Sequence, residues 1–469
     1  MSARSTQEFG LVNNRSDMTK KKTAAIVLAA GLGTRMGSEK PKVLHAIAGR
    51  AMISHLMETL ARFEPDRIAV VIGTGMDDVA DKVAPHPCCV QEPRLGTGHA
   101  VLAAKSAMAD FDGDVLVVYG DTPLVSASTI EAMLEARRAT PGTGAVVLGF
   151  RPDDPGAYGR LVVGDDGSLD AIVEAKEATP EQLAIPLCNS GVMAVDGSRL
   201  FGWLERIGND NAKGEYYLTD LIELARADQL RCAFVEAPAD ELLGIDSRPD
   251  LAVAEAVVQT DLRARAMNAG VTMIDPASVF LSWDTQLGRD VIVGPNVVFG
   301  PGVSVGEGTE ILPFSHLEGA TVGANVRVGP FARLRPGADV ADTARIGNFV
   351  EIKNASIQTG AKVSHLTYIG DARVGPRANI GAGTITCNYD GFFKDRTDIG
   401  EGAFIGSNTA LVAPVKIGDG ATTGAGSVIT KDVPADALAL TRAPMKVLAG
   451  WAKRFRKRRA AEKKKGQAK

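Results

Sequence analysis

At 469 residues the chain is long enough for two or three domains, and 45% hydrophobic with 23% charged residues is the balance of a globular protein, not of a disordered or membrane-embedded one. The formal net charge is −4, but ten Lys/Arg and one Glu sit in Lys453–Lys469, so the remainder carries about −13, which argues against a basic nucleic-acid-binding body. Five scattered cysteines (Cys88, Cys89, Cys188, Cys232, Cys387) without a C-x-x-C pair speak against a disulfide framework or zinc knuckle and fit a reducing cytoplasm.

Residues 1–22 read as a polar, disordered extension, with Met18 a candidate start. Lys20–Lys22 followed by the apolar run Thr23–Ala30 imitates a secretion signal. The glycine-rich segment that follows, Gly31-Leu-Gly33-Thr-Arg35-Met-Gly37, makes a buried strand the better reading. No apolar run reaches membrane-spanning length. Ile26–Ala30, Ile68–Ile72, Val115–Tyr119 and Ala145–Phe150 read as strands, and Met52–Arg62, His99–Ala109 and Ser128–Arg138 as helices. This alternation predicts a mostly parallel α/β sheet with ligands beyond the carboxyl ends of its strands, where Gly31–Lys42 and Gly120-Asp121 fall. Leu251–Ala269 reads as a helix joining two domains.

From about residue 275 apolar residues recur every six positions: Val293, Phe299, Val305, Ile311, Leu317, then after a five-residue step Val322, Val328, Leu334, Val340, Ile346, Ile352. A third run is Ile399, Ile405, Leu411, Ile417, Ile429, with Thr423 as its exception. Glycine commonly follows the apolar residue. A period of six fits a coil of short strands with one residue per hexad pointing into a narrow core. The glycines are expected at the corners, where positive φ is tolerated. The repeat breaks at Thr386–Asp398, either a surface loop or a segment reaching over a site, on this copy or a neighbouring one.

Three segments carry chemistry in the first half. In Leu28-Ala-Ala-Gly31-Leu-Gly33-Thr-Arg35-Met-x-Ser-x-x-Pro41-Lys42, small residues after a strand let backbone N–H groups approach a phosphate or base, and Arg35 and Lys42 supply positive charge. It lacks the spacing of a P-loop. In Gln91-Glu-Pro-Arg-Leu-Gly96-Thr97-Gly98, an amide can read a nucleobase edge beside a helix that Thr97 can also simply cap. In Gly120-Asp121, a carboxylate at a strand end suits a divalent cation against phosphate, or caps a turn. The second half offers Arg335-Pro-Gly, Asn348-Phe-Val-Glu351-Ile-Lys353, His365-Leu-Thr-Tyr368 and Asn379–Asp390. On a strand Glu351 and Lys353 share one face, which a solvated salt-bridged surface would also explain.

The loop at Leu28–Lys42 resembles the signature of sugar nucleotidyltransferases. Together with the other motifs, over about residues 23–450, the chain is similar to the family of bifunctional N-acetylglucosamine-1-phosphate uridylyltransferases and glucosamine-1-phosphate N-acetyltransferases. The resemblance implies a Rossmann-like α/β domain (23–249), a linker helix (250–270), an all-β left-handed parallel β-helix (271–450) that forms a homotrimer, and a basic tail (451–469). It implies acetylation of glucosamine 1-phosphate by acetyl-CoA, then uridylyl transfer from UTP. Leu28, Ala29, Ala30 and Gly31 would contact the nucleotide, Arg35 and Lys42 its phosphates, and Gln91, Gly96 and Thr97 the uracil. Gly159, Glu174 and Asn189 would bind the N-acetylglucosamine moiety. Asp121 and Asp246 would hold Mg²⁺, Asp246 standing where the family often has Asn. In the second half His365 would be the general base. Arg335 and Lys353 would bind the sugar phosphate and Tyr368 and Asn379 the sugar, with Glu351 a candidate to orient His365. Ala382, Asn388, Tyr389, Ser407, Ala425 and Arg442 would line the acetyl-CoA site.

Two other readings stand beside it. One is a single-activity nucleotidyltransferase with the β-helix as scaffold; the other is a catalytically dead assembly subunit. The tail reads as a disordered, solvated end, with Trp451 and Phe455 offering the alternative of a contact with a neighbouring subunit or with CoA phosphates. Partners are small molecules, with no nucleic acid and no membrane span.

Overall fold

The computed structural model describes residues 22–211 and 213–466. The extension expected at residues 1–22 therefore lies outside the described residues, Lys22 excepted. The chain divides into two units, Met1–Asp261 and Leu262–Lys469.

In the first unit the strands are β1 (Thr23–Leu28), a β2–β3 hairpin (Ala46–Ile47, Arg50–Ala51), β4 (Arg67–Gly73), β5 (Cys88–Gln91), β6 (Asp114–Tyr119), β7 (Thr143–Phe150), β8 (Arg160–Val163), β9 (Leu169–Val173), β10 (Cys188–Asp196) and β11 (Arg231–Glu236). The helices are α1 (Met52–Ala61), α2 (Asp77–Val83), α3 (Thr97–Ala103), α4 (Ala127–Ala139), α5 (Pro180–Leu183), α6 (Gly197–Leu204) and α7 (Leu221–Ala227). The main sheet runs β11-β7-β10-β6-β1-β4-β5. β1 is parallel to β4 and β6, whereas β10 is antiparallel to both β6 and β7. Successive residues of β1 enter opposite cores: Ala24, Ile26 and Leu28 join one apolar cluster, Ala25, Val27 and Ala29 the other. A strand covered on both faces must be apolar throughout, which is why this run imitates a secretion signal.

α8 (Arg248–Asn268) leads into the second unit. From Thr272 onward, parallel strands of two to seven residues stack coil on coil. Gln286 pairs with Ser304, and Val298 with His316, so three hexads make one coil. The five-residue step shortens the spacing, so Ser304 pairs with Thr321. Every hexad residue named above is buried and belongs to one continuous apolar column, apart from Thr423. Thr423 is equally buried, its hydroxyl accepting the Gly406 N–H at 3.1 Å. The core thus tolerates a polar residue where the backbone satisfies it.

The glycines act for a different reason from the one expected. Of those that follow a hexad residue, Gly329 has positive φ, whereas Gly306, Gly323, Gly375, Gly400, Gly406 and Gly418 do not. A Cβ on Gly406 would lie 2.4 Å from the Ala425 nitrogen, and one on Gly375 2.5 Å from the Gly400 carbonyl carbon. These positions let the backbones of successive coils touch. The left-handed corner comes two residues later, at Gly302, Gly308 and Asn325, and also at Phe314, Phe331 and Phe349, whose rings stack at 4.9 and 5.0 Å.

The break at Thr386–Asp398 is an excursion between coils: Lys362 pairs with Asn379, but Asn379 pairs with Phe404. It is a compact turn. Asp390 accepts the N–H groups of Phe392 and Phe393, and Tyr389 bridges Lys394. The tail expected to be disordered is helical as α9 (Trp451–Gly466). Its Lys, Arg, Ala and Glu residues are good helix formers, and Glu462 pairs with Arg458 and Arg459 one turn back.

Candidate active sites

At the carboxyl end of β1 the chain leaves the sheet as the Ala29–Lys42 loop. The Ala29 N–H donates to the Val71 carbonyl and the Gly120 N–H to the Leu28 carbonyl, which brings the β1 and β6 ends together. Leu28, Ala29 and Ala30 are buried and Gly31 is exposed. Two arginines clamp the loop: Arg94 donates to the Ala30 carbonyl at 2.7 Å and Arg248 to the Met36 carbonyl at 3.1 Å. Gly33 is in left-handed conformation, and a Cβ there would lie 2.7 Å from Lys42 Cβ, so only glycine admits this closeness.

Lys42 is the centre of the constellation. Its buried Nζ donates to Asp121 Oδ2 at 2.5 Å and to Asp246 Oδ1 at 2.7 Å, and Arg35 pairs with Asp246 Oδ2 at 2.7 Å. Burial opposes the ammonium, but the two carboxylates outweigh it and hold the Lys42 pKa above its ordinary value. Burial likewise opposes the Asp246 carboxylate, and Lys42 and Arg35 more than compensate, leaving its pKa low. Four residues spread over more than 200 positions thus meet in one charged cluster.

Beside it, buried Gln91 donates to the Gly96 carbonyl at 3.0 Å, and Thr97 at the start of α3 accepts the Leu218 N–H. A Cβ on Gly96 would lie 2.6 Å from the Tyr216 carbonyl. The Gly159 carbonyl accepts the Asn189 N–H, and Asn189 Oδ1 accepts the Gly191 N–H. Burial raises the pKa of Glu174, and raises that of the half-buried Tyr119 more strongly.

The second unit carries a separate arrangement along one corner of the coil. Asn348 pairs with His365. The Gly383 N–H then donates to the His365 carbonyl, the Asn408 N–H to that of Ala382, and the Gly426 N–H to that of Ser407. Asn348, His365, Ala382, Ser407 and Ala425 therefore form one edge, in coil order. Asn348 Oδ1 lies 2.7 Å from His365 Nδ1. An amide oxygen only accepts, so Nδ1 donates and Nε2 keeps its lone pair. Among the described residues Glu351 makes no hydrogen bond to this histidine. Its carboxylate bonds Arg335 at 2.8 Å, because Arg335 and Glu351 stand on neighbouring coils of the next face.

That next face holds Arg335, Lys353 and Tyr368, with Tyr368 paired to Glu351 and Lys353 to Gly370. The compact turn brings Lys394 beside Lys353; this second ammonium holds the Lys353 pKa down. Asp371 receives Asn354 and Asn388, and those hydrogen bonds hold it ionised against its burial. Tyr389 is exposed, its hydroxyl donating to the Gly391 carbonyl. Arg442 is exposed near Gly424. Asn379 stands apart: it pairs with Lys362 and Phe404 on the face before the corner, across the edge from Arg335 and Lys353. Sequence reasoning gave no role to Arg94, Asn348, Asp371 or Lys394, although Arg94 and Asn348 lie within its motifs. Asn348 was the most findable, lying one 17-residue coil before His365.

Comparisons with known proteins find a family match within each unit. Residues 25–183 match the MobA-like NTP transferase domain, and residues 284–319 and 396–431 match the bacterial transferase hexapeptide of six repeats. A protein of Paramagnetospirillum magneticum called bifunctional protein GlmU is 60% identical over 95% of this chain and 99% of its own length. The protein of that name from Rhodospirillum rubrum is 63% identical over 93% of this chain and 97% of its own, and that from Ruegeria sp. 54% identical over 90% and 94%.

Proposed function

The chain belongs to the family of bifunctional GlmU proteins, and we propose from that premise that its two constellations are the two active sites of UDP-N-acetylglucosamine synthesis. It is a uridylyltransferase and an acetyltransferase: it acetylates glucosamine 1-phosphate with acetyl-CoA, then transfers UMP from UTP to N-acetylglucosamine 1-phosphate, releasing pyrophosphate. The observation that carries the site assignment is the disjoint chemistry of the two units. Lys42, Arg35, Asp121 and Asp246 cluster in one, and His365 with Asn348 in the other.

In uridylyl transfer a phosphate oxygen of the sugar attacks the α-phosphorus of UTP. Two anions must meet, so Arg35 and Lys42 act by neutralising charge and aligning the phosphates. Gln91, Gly96 and Thr97 hold the uracil, the backbone of Leu28–Gly31 lies along the nucleotide, and Gly159, Glu174 and Asn189 hold the sugar. Asp121 and Asp246 are hard oxygen donors that each place one carboxylate oxygen on Lys42 Nζ and so lie beside one another. They suit Mg²⁺, which uses one or two carboxylates and takes its other ligands from phosphate and water. Bound there, Mg²⁺ would screen phosphate charge during the transfer.

In acetyl transfer Arg335, Lys353 and Lys394 receive the sugar phosphate. His365 Nε2 takes a proton from the sugar ammonium, the freed amine attacks the thioester carbonyl and releases its second proton to solvent as the adduct collapses to the amide, and CoA leaves as the thiolate, which recovers the first proton from the imidazolium. Ala382, Ser407 and Ala425 offer the acetyl-CoA a straight edge that begins at His365, with Asn388, Tyr389 and Arg442 at its sides. Asn379 on the preceding face joins Tyr368 at the sugar only if another copy closes the cleft, which supports a homotrimer. The reaction belongs in the cytoplasm, where both nucleotide and thioester substrates are held.

A coupled assay with glucosamine 1-phosphate, acetyl-CoA, UTP and Mg²⁺, following free thiol and pyrophosphate separately, tests this. Both should appear, and omitting acetyl-CoA should suppress both. Lys42→Met should lower pyrophosphate release from N-acetylglucosamine 1-phosphate by about 10²–10³ and leave thiol release intact. His365→Ala should do the reverse, by about 10²–10⁴. Parallel loss of both activities in either variant defeats the two-site reading.

A further inference from the structure

We propose that Arg94 is a base-reading residue of the first site, donating a charge-assisted hydrogen bond to a uracil carbonyl next to the N3–H that Gln91 accepts. The inference rests on the reading above that Gln91 holds the uracil. The sheet order β6-β1-β4-β5 separates two kinds of chemistry along its carboxyl edge. Lys42 and Asp121 meet at the β6 and β1 side, where charge suits phosphate. Gly73 and Gln91 pair with one another at the ends of β4 and β5, on the far side of β1. Ala30, Gly73 and Gln91 lie on one face. Ala30 and Val71 share an apolar cluster, and Gly73 stands two residues beyond Val71 on the same strand. Arg94 crosses that face. Its Nε donates to the Ala30 carbonyl at 2.7 Å, and a Cβ on Gly73 would lie 2.7 Å from its Cζ and nearer still to Nη2. The guanidinium thus fills the space a side chain at position 73 would take, one strand spacing, about 5 Å, from Gln91. Glu92 accepts the Thr74 hydroxyl at 2.7 Å and so ties this loop to the end of β4.

The two side chains offer opposite halves of a hydrogen-bond pattern. Gln91 Nε2 donates to the Gly96 carbonyl at 3.0 Å and lies 3.4 Å from His99 Nδ1, so Oε1 is the atom left for a ligand. Arg94 is exposed, and among the described residues its Nη groups have no hydrogen-bond or ion-pair partner. The edge therefore presents one acceptor with cationic donors beside it. Uracil presents the complement, a donor N3–H flanked by carbonyl oxygens. Cytosine sets its N3 lone pair against Gln91 Oε1, acceptor against acceptor. A pocket built to satisfy polar groups discriminates strongly against a base that leaves them unpaired. A phosphate needs no such alternation, and Arg35 and Lys42 already supply positive charge at the other end of the edge.

The test is pyrophosphate release by the full-length protein from UTP, 2-thio-UTP, 4-thio-UTP and CTP, with N-acetylglucosamine 1-phosphate and Mg²⁺. Arg94→Met should raise the UTP KM about 10–100-fold and change kcat by less than about threefold. Sulfur is a poor acceptor, so one of the two thio analogues should lose about three- to tenfold in kcat/KM with the parent and keep pace with UTP in the variant. Gly73→Ala keeps Arg94 but pushes the guanidinium off its seat, and should reproduce the change in direction. Thiol release by the second site should be unaltered in both variants, which establishes that they fold. The proposal is overturned if Arg94→Met leaves the UTP KM within about twofold of the parent. It is equally overturned if the variant weakens UTP and both thio analogues by one factor, the mark of a loop clamp or a phosphate contact. Gln91→Leu tests the premise separately. It should cut the preference for UTP over CTP about tenfold or more, and an unchanged preference removes the base from this edge and both readings with it.

Discussion

Asn348 illustrates how one side chain sets the protonation of another. Its amide oxygen fixes which nitrogen of His365 carries the proton and leaves Nε2 its lone pair. Asn348→Ala should lower acetyl transfer about tenfold to a hundredfold with uridylyl transfer unchanged, and Asn348→Asp, which still accepts at Nδ1, should recover part of it. Separate measurement of thiol and pyrophosphate release checks both. Asp220 shows the opposite case, a carboxyl with no hydrogen bond or ion pair among the described residues. Burial, aided by Glu223, Glu177 and Glu174, raises its pKa to about 6. The folded state therefore holds the proton more tightly than the unfolded chain, and stability is fully present below about pH 4 and falls as pH rises through 6. Asp220→Asn should match the parent below pH 4 and be more stable by about 1–2 kcal/mol at pH 8, read as a Tm difference against pH. A variant less stable than the parent at pH 8 would show that the charge has a partner.

Among elements, the β-helix coil sets the strictest steric demand. Its hexad column needs bulk, and the glycine beside it needs none. Gly406→Ala would force a Cβ against the Ala425 nitrogen and the Thr423 carbonyl of the next coil, and should cost about 3 kcal/mol or more. Gly402, at positive φ with open space around it, should cost about 1 kcal/mol on the same change. Denaturant unfolding of the two variants distinguishes close approach from backbone conformation. The mixed sheet of the first unit follows its own logic. β1 tolerates neighbours on both sides and both faces because all six of its residues are buried, whereas β10 enters antiparallel and leaves the β8–β9 pair outside the main path.

At the scale of the whole molecule the two units have separate apolar cores, one column in the second and two clusters flanking the sheet in the first. Calorimetry should show two transitions. Gly406→Ala should lower one alone, and UTP with Mg²⁺ should raise the other. A single transition moved by both would mean that the units unfold together. The sequence by itself determined what depends on local spacing. The six-residue period named the buried column of the β-helix, and the run after Lys22 marked the first strand, because periodicity survives in one dimension. It also supplied the chemical identity of Lys42, Asp121 and His365. What it left to the tertiary structure is proximity. Lys42 meets Asp121 and Asp246 only because strand crossovers bring the β1 and β6 ends and the segment around Asp246 together. Glu351 turns to Arg335 and Asn348 to His365 only because coils stack in that register. The glycines too were legible as necessary, but their reason, contact between backbones a full coil apart, belongs to the stacked structure.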